Sequence, residues 1–278
     1  PFPFHEVKQI MESELGIRLE DMFARFDEEP VAAASIGQVH LAYLHTGEPV
    51  AVKVQRPHIE ETIRTDLEIL QNLAILAEAR FVWARRYQLH GMVEEFSRSL
   101  YLELDYTIEG KNAEKIAKPF KRHPHVHIPM VYWELSSKKV LTTEFLDGLK
   151  LNRPDLLLAE GFDLKKLAER LMHAMLQQIF IDGFFHADPH PGNIMVLRGE
   201  TLAFMDFGLV GRLTPDMRKS FSSLIIALML QSSDGVMRAL IGMGLFAPEV
   251  SLTELRRDID LLREKYMGVS FSQISLGE

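Results

Sequence analysis

The sequence predicts an α+β fold with two lobes, a small strand-rich lobe with extra helices followed by a mainly helical lobe. In the first half, strand-like alternation of apolar residues is mixed with helical stretches, and after residue 148 the spacing is mainly helical. We therefore place the first lobe at residues 1–147 and the second at residues 148–278, and we expect the second to be truncated at its C-terminal end. A length of 278 residues fits one or two domains.

The predicted elements of the first lobe are both helices and strands. Val50, Val52 and Val54 alternate along one strand, and residues 46–49 before them are typical of a hairpin turn. A helical stripe of apolar residues follows Pro57, which suits a first helical turn. Helices are predicted over residues 5–25, 58–80 and 89–117, and strands over residues 31–43, 49–55, 127–135 and 138–146.

The predicted elements of the second lobe are helices around one short strand pair. Thr214 and Pro215 suit the N-cap and first position of a helix. Ser251 and Glu254 have the spacing of a capping box. Helices are predicted over residues 163–182, 215–231 and 252–266, and the strand pair over residues 194–197 and 202–205.

Composition and charge exclude several classes of protein. Apolar residues make up 47% and charged residues 25%, which is typical of a globular domain and not of a disordered chain. The net charge of −8 argues against nucleic acid as a partner. The chain has no cysteine, so disulfides and thiolate metal sites are excluded, and a reducing compartment such as the cytoplasm fits. The longest apolar run, residues 224–230, is far shorter than the roughly 20 residues of a membrane-spanning helix.

The strongest motif runs from His186 to Asn193 and is followed by Asp-Phe-Gly at residues 206–208. Asn193 comes five positions after Asp188, and Asp206 comes thirteen positions after Asn193; this order and spacing match the catalytic loop and Asp-Phe-Gly of protein kinases. In phosphoryl transfer, Asp188 would orient the acceptor and take its proton, while Asn193 and Asp206 would hold Mg²⁺ against the phosphates of ATP. The alternative is a structural turn with a helix cap, because Asp, Asn, Pro and Gly are all turn formers.

A second motif, Val-Ala-Val-Lys, ends at Lys53 and resembles the kinase strand whose lysine reaches the α- and β-phosphates. Ala51 and Lys53 are therefore candidate nucleotide-binding residues. A buried lysine needs a carboxylate partner, and Glu103, Asp105 and Glu109 are the candidates. We expect Glu109 to pair with Lys53 as part of the catalytic set; the alternative is a solvated acidic face.

A third motif precedes Lys53 by one hairpin, where kinases have a glycine-rich loop. Gly37 and Val39 align with the last glycine and the valine of that loop, and alanines replace the first two glycines. Because alanine lacks easy access to positive φ, the loop should be stiffer than its glycine-rich counterpart. The predicted nucleotide-binding residues of this loop are Ala32, Ala33, Ala34, Ser35, Gly37 and Val39. An alanine-rich stretch can also serve only for packing.

The last strand before the second lobe ends at residues 142–146, where a hinge between the lobes is expected. Backbone groups from Glu144 to Leu146 would then bind adenine. An ordinary strand end would have the same local geometry. His186 is expected to orient the catalytic loop, and His190 either lies near the phosphates or only shapes the loop.

Four segments together resemble the UbiB (AarF) family of atypical kinase-like proteins, and the resemblance spans roughly residues 4–250. They are residues 32–40 (Ala-Ala-Ala-Ser-Ile-Gly-Gln-Val-His), 50–57 (Val-Ala-Val-Lys-Val-Gln-Arg-Pro), 103–106 (Glu-Leu-Asp-Tyr) and 186–193 (His-Ala-Asp-Pro-His-Pro-Gly-Asn). The resemblance implies a bilobal protein-kinase-like fold that binds ATP or ADP with Mg²⁺. It also implies a lipid-linked ATPase or small-molecule kinase activity in isoprenoid quinone synthesis at a membrane.

The resemblance assigns further roles and names two segments that are not seen. Glu103 and Asp105 match the family's Glu-x-Asp motif, and Glu109 matches its lysine-pairing glutamate. Lys8-Gln9 does not match the family's Lys-x-Gly-Gln motif, and the family's apolar C-terminal segment is not seen before Glu278. We therefore expect a core cut from a longer protein that associates with a membrane through other segments and takes a lipid or isoprenoid quinone precursor as partner.

The segment after Asp206 argues against a peptide acceptor. Seven residues separate Asp206 from Thr214, and this segment has no Ala-Pro-Glu. Two alternatives stay open: a small-molecule kinase of the aminoglycoside or choline kinase type, and a nucleotide-binding scaffold without turnover.

Overall fold

The computed structural model describes residues 1–33, 36–244 and 251–265. The chain folds into two compact units. The first comprises Pro1–Ala174 and His186–Val210, and the second comprises Met175–Phe185 and Gly211–Glu278. Neither unit ends between residues 147 and 148, and that lobe boundary stays a prediction. The α+β fold class is confirmed, with antiparallel strands concentrated in the N-terminal region and helices in the C-terminal part.

Helices and strands follow one another along the described chain. The helices are α1 (Phe4–Leu15), α2 (Leu19–Met22), α3 (Ile59–Arg80), α4 (Val82–Arg86), α5 (Leu89–Glu103), α6 (Tyr106–Phe120), α7 (Pro154–Ala159), α8 (Leu164–Leu176), α9 (Pro215–Met229), α10 (Ser233–Gly242) and α11 (Leu252–Lys265). The strands are β1 (Arg25–Phe26), β2 (Ala32–Ala33), β3 (Gly37–Tyr43), β4 (Pro49–Gln55), β5 (Val126–His127), β6 (Val140–Glu144), β7 (Leu149–Lys150), β8 (Phe184–His186), β9 (Ile194–Leu197), β10 (Thr201–Phe204) and β11 (Val210–Arg212). In the described residues, no helix has the length and apolar character needed to cross a membrane.

The first sheet has the order β1-β3-β4-β6, and β2 pairs with β3. The predicted hairpin is present, with Val39 opposite Lys53 in an antiparallel register. Val50, Val52 and Val54 are fully buried, as their alternation predicts, and they pack with Val7 and Met11 of α1 in one apolar core. The sheet therefore fixes the position of Lys53 through β4.

A second sheet has the order β5-β10-β9-β7, and a separate two-stranded sheet contains β8 and β11. The predicted strand pair is confirmed as the β9–β10 hairpin, in which Ile194 lies opposite Phe204. Asn193 immediately precedes β9, and Asp206 follows β10 by two residues. Thirteen residues therefore bring Asn193 and Asp206 to the same end of one hairpin.

The single helix predicted over residues 5–25 is wrong, because Gly16 ends α1. This glycine has a φ of 69°, in the left-handed region, and its amide donates to the carbonyl of Glu12. The Glu12 carboxylate then accepts a hydrogen bond from the backbone N–H of Leu19 at 2.9 Å. The chain therefore restarts as the short helix α2.

Two other predicted elements of the first half are also wrong. The helix over residues 89–117 is two helices, because Asp105 caps the start of α6 by accepting the amide of Thr107. The strand over residues 127–135 reduces to β5 and a 3₁₀ turn at Trp133–Leu135, because Pro129 has no N–H to continue a ladder.

The predicted helix starts in the second half are confirmed. The Thr214 hydroxyl accepts from the amide of Met217 at the start of α9, and the Ser251 hydroxyl accepts from the amide of Glu254 in α11. Within the second unit, α9 packs on α10, and the rings of Phe180 and Phe221 stack at 5.5 Å.

Gly16 provides a test of the break between α1 and α2. Nothing lies within 4 Å of a Cβ added at Gly16, so Gly16→Ala should lower the free energy of unfolding only through backbone strain, by about 1–2 kcal/mol. The matched control is Gly91→Ala, since Gly91 also has open space but lies within α5. That change should raise the free energy of unfolding, by up to about 1 kcal/mol. Urea unfolding checks both, and a Gly16→Ala protein as stable as its parent would contradict this account.

Candidate active site

Lys53 and Glu109 form a buried ion pair between β4 and α6. The Lys53 Nζ donates to both carboxylate oxygens of Glu109, at 3.0 and 2.8 Å. Glu109 lies one turn into α6, so its position depends on the helix start that Asp105 caps. Burial alone would lower the pKa of Lys53, but the carboxylates of Glu109 and Asp206 raise it above its ordinary value. The ammonium is therefore held charged at the floor of the site.

Tyr106 supports this pair and was missing from the predicted site, although it follows directly after Asp105 in the sequence. Its ring lies 5.0 Å below the Lys53 ammonium, and burial raises the pKa of its phenol to about 12. The hydroxyl is buried and has no hydrogen-bond partner among the described residues. A Cβ on Gly37 would lie 2.5 Å from this hydroxyl and 2.6 Å from the carbonyl oxygen of Val54. Gly37 is therefore needed for close packing rather than for an unusual φ.

Asp188 and Asn193 contact each other within the catalytic loop. The Asn193 Nδ2 donates to Asp188 Oδ2 at 3.0 Å, which leaves the amide oxygen as the atom that can bind a cation. His186 is buried beneath the loop: its Nδ1 accepts from the Asp188 amide, and its Nε2 contacts the carbonyl oxygen of Met205 at 2.9 Å. His190 Nδ1 accepts from the Gly192 amide at 3.0 Å, a contact that shapes the loop.

Asp206 has a strained backbone. Its φ is 56°, in the left-handed region, which is uncommon for residues other than glycine although Asp adopts it more readily than most. Oδ1 of Asp206 accepts from the Gly208 amide at 3.3 Å. The next carbonyl, that of Phe207, accepts from the Asn112 side chain at 3.0 Å. Asn112 lies on α6 like Glu109, so one helix holds both the lysine partner and the segment after Asp206. No sequence pattern indicated this role for Asn112.

Lys53, Glu109, Asp188 and Asp206 line a cavity of about 150 Å³, and all of its lining residues belong to the first unit. One cation, Lys53, faces five carboxylates, and the formal charge of the lining is therefore −4. The carboxylates are Glu103, Asp105, Glu109, Asp188 and Asp206, and the other lining residues are Ile36, Leu102, Ile108, Gly208 and Leu209. Burial, and then the charge of Asp206, raise the pKa of Glu103 above its ordinary value. The cavity can accept a polyphosphate only together with cations.

Of the remaining predicted site residues, those that the structure describes do not line this cavity. Asn193 donates a hydrogen bond to Asp188, and Asp188 lines the cavity. Ala34 and Ser35 lie outside the described residues, while Ala32, Ala33, Gly37, Val39, Ala51, Glu144 and Leu146 are described and lie elsewhere in the first unit. Ala32 and Ala33 form the exposed strand β2, which pairs with Val39 and Gln38. The nucleotide-binding roles of all these residues stay predictions.

The paired lysine, the Asp–Asn loop and the Asp-Phe-Gly segment, on this fold, define a kinase-like domain. The sequence profile described as ABC1 atypical kinase-like domain matches residues 1–240, and the chain belongs to this family. The chain is 36% identical to the "Probable protein kinase UbiB" of Azotobacter vinelandii, over all of this chain and 52% of the relative. It is 36% identical to "AarF domain-containing kinase 1" of Drosophila melanogaster, over 82% of this chain and 44% of the relative.

Plant and mycobacterial proteins are similar as well. The chloroplastic "Protein ACTIVITY OF BC1 COMPLEX KINASE 7" of Arabidopsis thaliana is 38% identical over 98% of this chain and 39% of its own length. The solved Rv3197–erythromycin complex of Mycobacterium tuberculosis is 27% identical, with a TM-score of 0.71 over 95% of this chain and 66% of that chain. The chain thus spans about half, or less, of the length of these curated relatives.

His127 and Glu144 form an ion pair beside the predicted hinge. His127 Nε2 lies 2.9 Å from Glu144 Oε2, and both side chains are partly exposed. Hydrogen bonding to Glu144 raises the pKa of His127, and the same bond lowers the pKa of Glu144. The pair links β5 to the end of β6, where the adenine-binding backbone is predicted.

This pair makes stability depend on pH. The raised pKa of His127 adds stability that is complete below the ordinary histidine pKa and is lost as pH rises through the raised value. The lowered pKa of Glu144 adds stability that is complete above the ordinary glutamate pKa and is lost as pH falls. His127→Gln should therefore lower the free energy of unfolding most between about pH 4.5 and 6.5. Urea unfolding across pH measures this free energy. The double variant, His127→Gln with Glu144→Gln, should have the same free energy of unfolding as either single variant. If His127→Gln lowers the free energy of unfolding by the same amount at every pH, the role of this pair in stability is contradicted.

Proposed function

We propose that this chain is the catalytic core of an ATP- and Mg²⁺-dependent UbiB-type atypical kinase or ATPase. The observation that carries the proposal is the cavity in which the Lys53–Glu109 pair faces Asp188 and Asp206. Relatives with 36% identity are named as kinases, which supports the same class of activity.

Each side chain has a separate task in the proposed mechanism. Lys53 binds the phosphates, and Glu109 holds Lys53 in place through two hydrogen bonds. Asp188 orients the acceptor hydroxyl or water and takes its proton as the acceptor oxygen bonds to the γ-phosphorus of ATP. The bond from that phosphorus to the β,γ-bridging oxygen breaks, and ADP leaves with this oxygen. His186 fixes the loop beneath Asp188, and Asn193 donates to the Asp188 carboxylate. Catalysis then depends on positioning and on preorganised charge.

Asn193 and Asp206 are the residues that would hold Mg²⁺. Among the described residues, no three His, Asp or Glu side chains are grouped as a metal site. Mg²⁺ nevertheless fits, because it is usually bound by one or two carboxylates together with substrate phosphates, and because the lining is strongly acidic. When bound, Mg²⁺ supplies the positive charge that the phosphates need in this cavity.

The acceptor is proposed to be a small molecule or water rather than a peptide. Asp206 is followed by only seven residues before Thr214, and this segment contains β11. A small-molecule kinase is therefore the second candidate, and phosphorylation of a soluble alcohol would favour it. Stimulation of ATP hydrolysis by an isoprenoid phenol or lipid would favour a role in quinone or lipid metabolism at a membrane. In that role, segments outside this chain would contribute to membrane association.

Asp206→Asn should weaken the binding of Mg²⁺–ATP by more than about tenfold, because it removes a charged metal ligand. The residue is exposed, and the free energy of unfolding should stay near that of the parent protein. Isothermal titration measures the affinity. Equal affinity in Asp206→Asn and in the parent would refute the assignment.

Asp188→Asn is the matched control, since it makes the same change of charge in the same cavity. It should leave Mg²⁺–ATP affinity within about threefold of the parent and lower turnover by about 10²–10⁴, the usual contribution of a general base. Phosphate release measures turnover. An unchanged rate in Asp188→Asn would remove Asp188 from the catalytic set.

A further inference from the structure

Helix α6 contacts the segment after Asp206 through two side chains, and only one of them belongs to the predicted catalytic set. Glu109 and Asn112 lie three positions apart on α6 and therefore share one face of this helix. Asn112 Nδ2 donates to the carbonyl oxygen of Phe207 at 3.0 Å. Burial raises the pKa of Glu109, whereas Lys53 and the backbone N–H of Phe207 lower it. The backbone N–H and carbonyl of Phe207 are therefore both directed at α6.

These two contacts fix the backbone that follows Asp206. The N–H of Phe207 belongs to the peptide group that joins it to Asp206, and its carbonyl belongs to the next peptide group. Asp206 has a φ of 56°, in a region that costs an L-residue free energy and is held by surrounding contacts. The direction of the Asp206 carboxylate therefore depends on the two side chains of α6.

The ring of Phe207 connects the same segment to the catalytic loop. Phe207 is 3% exposed, and its ring meets the ring of His186 edge-on, with 5.5 Å between the ring centres. His186 Nδ1 in turn accepts a hydrogen bond from the Asp188 amide. A rotation of the Phe207 backbone would therefore disturb both Asp206 and the contact beneath the loop that carries Asp188.

Asn112 acts on the site through Phe207 and not on a ligand, because its half-buried side chain does not line the acidic cavity. We propose that Asn112 is a positioning residue that sets the Mg²⁺ affinity of the site. By holding the Phe207 carbonyl, it keeps the Asp206 carboxylate directed into the cavity. The inference rests on the proposed function, in which Asp206 holds Mg²⁺, and it adds a residue that the kinase motifs do not include.

Two substitutions of Asn112 separate the effect of position from the effect of charge. Asn112→Leu removes the hydrogen-bond donor without adding a charge. Asn112→Asp keeps the shape of the side chain, but an ionised carboxylate has no N–H to donate to the Phe207 carbonyl. Its negative charge alone would attract Mg²⁺, whereas loss of the donor should weaken Mg²⁺ binding. The matched control is Asn72→Leu, because Asn72 is exposed on α3 and the same substitution is made within a helix.

Hydrogen exchange without any ligand tests whether Asn112 holds the backbone after Asp206. Asn112→Leu should speed exchange of the Phe207 and Gly208 amides by about two- to tenfold, which corresponds to the loss of one hydrogen bond. The amides of β10 should keep the parent rate, and Asn72→Leu should leave all of these rates unchanged. Unchanged exchange at Phe207 and Gly208 in Asn112→Leu would overturn the proposal. Because no nucleotide is present, this result does not depend on the proposed function.

A Mg²⁺ titration of phosphate release from ATP tests the consequence for the metal. Asn112→Leu should raise the Mg²⁺ concentration that gives half the maximal rate by about tenfold or more, the usual effect of losing a group that orients a metal ligand. The rate at saturating Mg²⁺ should stay within about threefold of the parent rate, since the lost contact affects metal binding. A lower maximal rate with an unchanged Mg²⁺ dependence would indicate only a structural role and would overturn the proposal.

The same titration of Asn112→Asp gives a result whose sign decides between position and charge. This variant should need more Mg²⁺ than the parent protein; a lower requirement would show that local charge sets the affinity and would overturn the proposal. Thermal unfolding checks that each variant is folded. A parent protein that releases no phosphate would refute the proposed function and this inference together. Unchanged Mg²⁺ dependence in the Asn112 variants of an active parent would refute this inference alone.

Discussion

The buried ion pair between Lys53 and Glu109 is the interaction on which the geometry of the candidate site depends. A buried pair contributes little net stability by itself, but loss of one partner costs about 3–5 kcal/mol because an uncompensated charge is left behind. Both ends must therefore be held: β4 holds Lys53, and the capped start of α6 holds Glu109. Tyr106 packs below the lysine, and Gly37 leaves room for its hydroxyl. A charged amine is thus fixed at the floor of the cavity.

The acidic side of the cavity is held in place by strained and closely tied segments. Asp206 keeps a positive φ, and its segment is tied to α6 through the Asn112 side chain. The β9–β10 hairpin sets the position of Asp206 relative to Asn193, whose amide contacts Asp188. Burial, together with repulsion by the Asp206 carboxylate, raises the pKa of Glu103. Such strain and like-charge crowding are expected where a cation and an anionic ligand complete the site.

Sequence reasoning selected candidate residues by motif and spacing, and the structure brings four of them, Lys53, Glu109, Asp188 and Asp206, to one cavity. Their catalytic and metal-binding roles stay predictions. The intervals between Asp188, Asn193 and Asp206 correspond to one loop and one hairpin, and the Val-Ala-Val-Lys motif in β4 indicated Lys53. Long-range packing could not be read in the same way. Strand β5 pairs in parallel with β10, whose partner residues lie 76 positions later. The role of Tyr106 depends on contact with Lys53 and Gly37, which no local pattern records.

We propose that the acidic cavity binds nucleotide phosphates only together with a divalent cation. Isothermal titration with ATP, in Mg²⁺ and in excess EDTA, tests it most directly. We predict that removal of Mg²⁺ lowers ATP affinity by more than about tenfold, because the phosphates would then face a lining with formal charge −4. Adenosine, which has no phosphate, should bind equally in both conditions. Equal ATP affinity with and without Mg²⁺ would contradict the account.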